Sequence, residues 1–255
     1  MPKEIGIILL PDDKESKEVE RLHKDIGKKL AEKKLDRECY PSEPHISLFQ
    51  LVIKHEDEAK LEEAIKALCK GMQSFQLSMH KEITVEKENV FWNTEFPEQL
   101  KILQQKIIDV ANGFRDKGFI FPQLKDVDRS KLSEQQRTDI DKYGIFWGLP
   151  HTADSHCTLY YGFGTDVMKD ANNHLKDINP KFTDFKIKAI AVGELGPMGN
   201  VLSSKVIQEL SSSASLNEQG GQVSSHFFSS TASKVPSPVT DESQLRPNTP
   251  SGFKI

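Results

Sequence analysis

Apolar positions along the chain as far as Leu210 switch between two periods, and the switches mark out its elements. Ile5 to Leu10 is a short, nearly continuous apolar run bounded by polar residues, the length of a buried strand. Val19, Leu22, Ile26 and Leu30 then recur at helical spacing and make one stripe. A strand pattern follows from His45 to Ile53, then a helix with Leu61, Ala64, Ile65 and Leu68 on one face. Two strands, Phe75 to Val85 and Val90 to Thr94, flank the polar turn Glu86-Lys87-Glu88-Asn89. After Pro97 the stripe of Leu100, Leu103, Ile107 and Val110 predicts a helix that runs into Gly113.

From about Lys117 to Asp154 no period is sustained, and the segment reads as a polar connection with scattered aromatics. Order resumes with a strand at His156 and a short helix carrying Val167, Ala171 and Leu175. An alternating strand then places Phe185, Ile187, Ala189 and Ala191 on one face. A turn at Gly196-Pro197-Met198-Gly199-Asn200 leads into a last strand from Val201 to Ile207. The chain is therefore of the α+β class.

The second half repeats the first half's order of elements, and the spacing supports a repeat. Phe75-Gln76-Leu77 begins 30 residues after His45, and Phe185-Lys186-Ile187 begins 29 after His156. Asn89-Val90 and Asn200-Val201 each lie 44 residues after their histidine. We expect one pseudo-symmetric domain over 1–210, with lobes built from about 1–95 and 97–210 and room for strand exchange between them.

From Ser211 to Ile255 the composition turns to Ser, Thr, Gln, Pro, Asn and Gly with no apolar period, which predicts a disordered tail. The formal net charge of −4 argues against a surface that grips duplex DNA through many phosphates; a small nucleotide or short RNA is the easier partner. Three cysteines without close pairing suggest neither a disulfide framework nor a zinc ribbon. The apolar run near Met1 is too short for a signal peptide or a membrane span, so a cytoplasmic monomer is the default expectation.

Each half carries one tetrapeptide of the form histidine, any residue, hydroxyl residue, aliphatic: His45-Ile46-Ser47-Leu48 and His156-Cys157-Thr158-Leu159. On a strand, His45 and Ser47 share one face and Ile46 and Leu48 the other, and the second motif behaves alike. Continued alternation sets Phe49 and Tyr160 beside the histidines, where a ring stacks on a base. With eight histidines in the chain, roughly 0.2 matches are expected by chance, and two in only about 2% of such sequences.

Cleaving a phosphodiester needs a base for the attacking oxygen and an acid for the departing one, on opposite sides of phosphorus. Two imidazoles supply both near neutral pH, and the Ser47 and Thr158 hydroxyls donate to the non-bridging oxygens. Neither metal nor cofactor is required.

The paired motifs resemble the signature of the two-histidine (2H) phosphoesterase superfamily, the LigT-like family, over roughly residues 5 to 208. The resemblance implies a bilobal fold whose two antiparallel β-sheets form a central cleft with helices packed outside. It also implies catalysis by His45 and His156 with phosphate held by Ser47 and Thr158. The substrates it implies are 2′,3′-cyclic nucleotides, ADP-ribose 1″,2″-cyclic phosphate, 2′-5′-linked RNA or 3′-end oligouridine. The competing reading is a nucleotide- or RNA-end-binding module that uses the same cleft without turnover.

Tyr143, Phe146 and Trp147 precede the second motif; Trp147 is a third candidate for base stacking, against the plainer role of pinning a loop. His151 reads as a loop residue outside the site, and Cys157 as a small buried hydrophobe. Gly162 and Gly164 end a strand and make no dinucleotide fingerprint. Lys24 to Lys34 is a solvated helix face. His23, His55, His80, His174 and His226 lack metal-ligand spacing, so no zinc site is expected.

Overall fold

The computed structural model describes residues 2–34, 40–86, 89–151, 155–161, 171–196 and 199–211. In chain order the first half carries β1 (Pro2–Pro11), α1 (Asp13–Glu32), β2 (Tyr40–Pro41), β3 (Ile46–Lys54), α2 (Glu58–Leu68), β4 (Phe75–Ser78), β5 (Thr84–Glu86) and β6 (Asn89–Asn93). The rest carries α3 (Glu98–Ala111), α4 (Glu134–Tyr143), β7 (His156–Tyr161), β8 (Asp184–Leu195) and β9 (Val201–Glu209). Two antiparallel sheets result: β3-β1-β8-β4 with β9 beside β8, and β2-β7-β6-β5.

β1 lies between β3 and β8 and is buried from Ile5 to Pro11, which is why its sequence is apolar without alternation. The four stripe residues of α1, Val19, Leu22, Ile26 and Leu30, are each fully buried. Asp12 starts that helix by accepting the Asp13 backbone N–H at 2.8 Å, and the chain's change of direction there follows from this cap. Trp92 on β6 ties the sheets together. Its ring is fully buried, stands edge-on to Phe185 of β8 at 5.4 Å, and donates from Nε1 to the His80 carbonyl at 2.8 Å.

The halves of the sequence are not the halves of the structure. β8 inserts between β1 and β4, so the strands opened by Phe75 and Phe185 pair with each other, with Leu77 opposite Phe185. The strand opened by Asn89 pairs with β7 in one sheet, whereas the strand opened by Asn200 and Val201 pairs with β8 in the other.

Two expectations need correction. The strand expected over Phe75 to Val85 is two strands in different sheets. The chain leaves the first sheet at Met79, whose N–H donates to the Thr183 carbonyl, and re-enters pairing as β5 against β6. The connection from Lys117 to Asp154 is not without structure, since it contains α4. That helix is capped reciprocally by Ser133 and Gln136 and stopped by Gly144 at a φ of 81°, where a side chain is disfavoured.

Of the helix expected to carry Val167, residues 171–175 are helical with Ala171 and Leu175 buried. Val167, Gly162, Gly164, Cys39, Pro197, Met198 and the tail beyond Ser211 lie outside the described residues. Among the described residues no helix is long and apolar enough to cross a membrane.

Candidate active site

His45 immediately precedes β3 and is 1% exposed. Its Nδ1 lies 2.6 Å from the Glu43 carbonyl oxygen, which only accepts, so Nδ1 carries the hydrogen and Nε2 of the neutral ring holds the lone pair. Ser42 Oγ lies 3.4 Å from the same Nδ1 and is itself held by the Val201 N–H at 3.2 Å, so the first residue of β9 helps to set the ring. On the other side Nε2 stands 3.2 Å from Ser47 Oγ. Burial pushes the His45 pKa down from 6.5 to about 4; the bond to Glu43 opposes this, and the nearby His156 adds to it.

The second motif reaches the same place from the other sheet. β3 and β7 are neighbours, and the Cys157 sulfur accepts the His45 backbone N–H. The Cys157 thiol is fully buried and pushed up to about 12, which makes it the inert hydrophobe that its position in the motif predicts. His156 is partly exposed, and the Phe91 ring packs on it at 4.2 Å. Thr158 is 3% exposed.

Ser47, His156 and Thr158 line one cleft of about 370 Å³, and Trp147, Phe96, Ile145 and Gln104 form a further part of its wall. His45 lies directly behind Ser47. Among the described residues on the wall there is no Lys, Arg, Asp or Glu; the ionisable side chains are His156 and the Tyr161 phenol. Among the described residues no three His, Cys, Asp or Glu side chains are grouped to hold a metal ion.

Two of the expected aromatics are not open for stacking, for one reason. In β3, Ile7 pairs with Phe49 and Ile8 with Ser47, so Leu48 has no partner. In β7, Val90 pairs with Tyr160 and Phe91 with Thr158, so Leu159 has none. Each motif therefore ends in a β-bulge, which interrupts the alternation just after the hydroxyl residue. Phe49 belongs to the cleft lining but is left 1% exposed, without a ring face open for stacking. Tyr160 is 8% exposed and donates from its hydroxyl to the His23 carbonyl on α1 at 2.7 Å.

Residues five beyond each histidine face the cleft instead: Gln50 in β3 and Tyr161 in β7. Gln50 accepts from Trp147 Nε1 at 3.0 Å and donates to the Gly199 carbonyl at 3.3 Å. Tyr161 is hydrogen-bonded to the Thr158 hydroxyl, and burial pushes its phenol up to about 12, so it keeps its O–H at neutral pH.

Trp147 remains at the cleft, edge-on to Phe121 and Phe146 at 6.0 Å and 5.3 Å. Tyr143 is buried at 9% exposure, and His151 pairs with the buried Asp139 at 2.9 Å, away from the cleft wall. Gln50 and Tyr161 escape pattern reading, because a bulge leaves no residue signature. Gln104 did leave one: it is a polar residue four positions after Leu100, on the stripe that α3 buries.

Burial also lowers the His23 pKa to about 4, so two imidazoles prefer the neutral form in the folded chain. Between pH 6.5 and about 4 the unfolded chain then binds more protons, and stability falls as pH drops through that window. We expect the loss traceable to His45 to reach up to about 3 kcal/mol, and His45→Asn to flatten the dependence of melting temperature on pH. A melting temperature that is level across the window contradicts neutral burial of these rings.

No family model and no curated protein matches the sequence. Solved structures do match it in overall arrangement. The E. coli LigT complex with 3′-AMP is 11% identical, covering 84% of this chain and 99% of that one, with a TM-score of 0.46. TT0787 of Thermus thermophilus is 13% identical over 82% of this chain and 97% of its own, with a TM-score of 0.45. Kluyveromyces marxianus Usb1 is 8% identical over 81% and 96%, with a TM-score of 0.41.

Proposed function

We propose that the chain is a metal-independent phosphodiesterase that hydrolyses a cyclic phosphate of a nucleotide, 2′,3′-cyclic or ADP-ribose 1″,2″-cyclic, with short 2′-5′-linked oligonucleotides as the second type of substrate. One observation supports the reading: His156, Thr158 and Ser47 line one cleft, and buried His45 stands 3.2 Å from Ser47 and near enough to His156 to feel its charge.

His45 is the base. Its lone pair is on Nε2, on the Ser47 side of the ring, and its low pKa keeps it uncharged across the neutral range. Once the Ser47 hydroxyl, which donates to that lone pair, turns towards the phosphate, Nε2 takes a proton from water as the water oxygen bonds to phosphorus. The bond from phosphorus to the ester oxygen breaks on the opposite side, and that oxygen takes the proton of His156. Solvent then restores both rings. The Ser47 hydroxyl, turned from Nε2, and the free hydrogen of the Thr158–Tyr161 pair point to the non-bridging oxygens, where charge builds as the new bond forms.

The lack of other ionised side chains on the described wall favours a monoanion over a polyphosphate. A cyclic phosphodiester bears one negative charge, which neutral donors and one imidazolium balance.

The test is incubation with 2′,3′-cyclic nucleotides, ADP-ribose 1″,2″-cyclic phosphate and 2′-5′ oligoadenylate, with and without a chelator, and identification of the products. We expect chelator-resistant opening of at least one cyclic phosphate. Calorimetry on the same sample that shows binding without product over hours supports the binding module instead.

A further inference from the structure

Gln104 is 3% exposed, on the buried face of α3. Its Nε2 donates to two carbonyls, those of Leu48 and Gly148, each at 2.8 Å. Leu48 is the bulged residue of the first motif, and Gly148 follows the wall residue Trp147. Both amide hydrogens are thus committed to groups that only accept. The amide orientation is fixed by this, because the flipped form sets Oε1 against two carbonyl oxygens.

That leaves Oε1, which is buried and has no hydrogen-bond partner among the described residues, on a side chain that lines the cleft. The same wall includes the apolar Phe96, Ile145 and Trp147. A buried acceptor without a donor is disfavoured unless something that enters the cleft supplies one.

We propose that Gln104 Oε1 selects its ligand by accepting an N–H from the edge of a nucleobase, with Trp147 as the adjoining wall. This rests on the nucleotide reading above. A phosphodiester anion offers only acceptors, and a 2′,3′-cyclic phosphate esterifies the 2′ and 3′ hydroxyls, which leaves the 5′-hydroxyl and the N–H groups of the base as donors; the apolar side chains of Trp147, Phe96 and Ile145 on the same wall favour the base. The chemistry is shared by amino bases and imide bases, so the test has one arm for each.

In the first arm 2′,3′-cyclic AMP is compared with the 2′,3′-cyclic phosphate of purine riboside, which lacks the 6-amino group. In the second, 2′,3′-cyclic UMP is compared with its 3-methyl derivative. Both dissociation constants and kcat/KM are measured, on the wild-type chain and on Gln104→Met. We expect roughly 10- to 100-fold discrimination in at least one arm for the wild type, collapsing towards unity in the variant. The arm that responds names the base class.

Equal treatment of parent and analogue by the wild type in both arms overturns the proposal, whether or not the variant folds. So does a variant that loses the same factor on parent and analogue, since that places Gln104 only in holding the Leu48 and Gly148 carbonyls. Binding discrimination without turnover of any nucleotide supports the acceptor role and counts against hydrolysis. Absence of binding by every nucleotide removes both.

Discussion

Replacing His45 with Asn is expected to lower the rate of cyclic-phosphate opening by ~10²- to 10⁴-fold, and His156→Ala by a similar factor. Asn at position 45 retains an N–H for the Glu43 carbonyl, 2.6 Å from Nδ1 in the native ring, but offers no lone pair of imidazole basicity towards Ser47. The loss should therefore fall on kcat more than on KM. Because base and acid act in one step, the double variant should be little worse than either single one. The pH profile separates the two roles further. In kcat/KM the acidic limb belongs to free His45 and should lie near pH 4. In kcat it should move upward, because a bound anion favours the imidazolium. Unchanged turnover in both single variants would end the acid–base assignment.

Trp92→Ala is expected to cost about 3–5 kcal/mol of stability, measured as a drop in the urea midpoint at an unchanged slope. The ring is fully buried between the sheets, touches Phe185 of β8 from β6, and satisfies the His80 carbonyl. Truncation opens a cavity at the seam and orphans that carbonyl. Trp92→Phe keeps much of the volume and loses the hydrogen bond, so its cost should be about 1–2 kcal/mol. A cost below about 1 kcal/mol for the alanine variant contradicts the placement of the ring in the inter-sheet core.

Helices with a clean apolar stripe were legible because burial on one side leaves a period in the sequence. α1, α2 and α3 all begin and end close to where Val19 to Leu30, Leu61 to Leu68 and Leu100 to Val110 place them. α4 has no such stripe: among its residues only Asp139 and Tyr143 are buried. Its signal lay in the Ser133–Gln136 capping box and in Gly144, which pattern-reading by hydropathy passes over.

The two motifs could be found because a histidine and a hydroxyl two residues apart survive any fold that makes a strand of them. What lies beyond them could not be found by counting. Leu48 and Leu159 are extra residues in their ladders, and nothing in leucine announces a bulge. Phe49 and Tyr160 therefore looked like neighbours of the histidines, whereas Gln50 and Tyr161 hold those places. The exchange of strands was hidden for a related reason: order along the chain says which strands exist, while pairing is decided by which edges the core leaves open.

That exchange also bears on when the two motif histidines can meet. As the chain leaves the ribosome, both histidines emerge before β8, yet β8 is the strand that joins β1 to β4. A nascent chain that has reached Tyr161 holds both motif histidines while β1 still lacks its β8 partner. Each sheet draws strands from both halves, so two fragments cut between them should regain the cleft only when mixed.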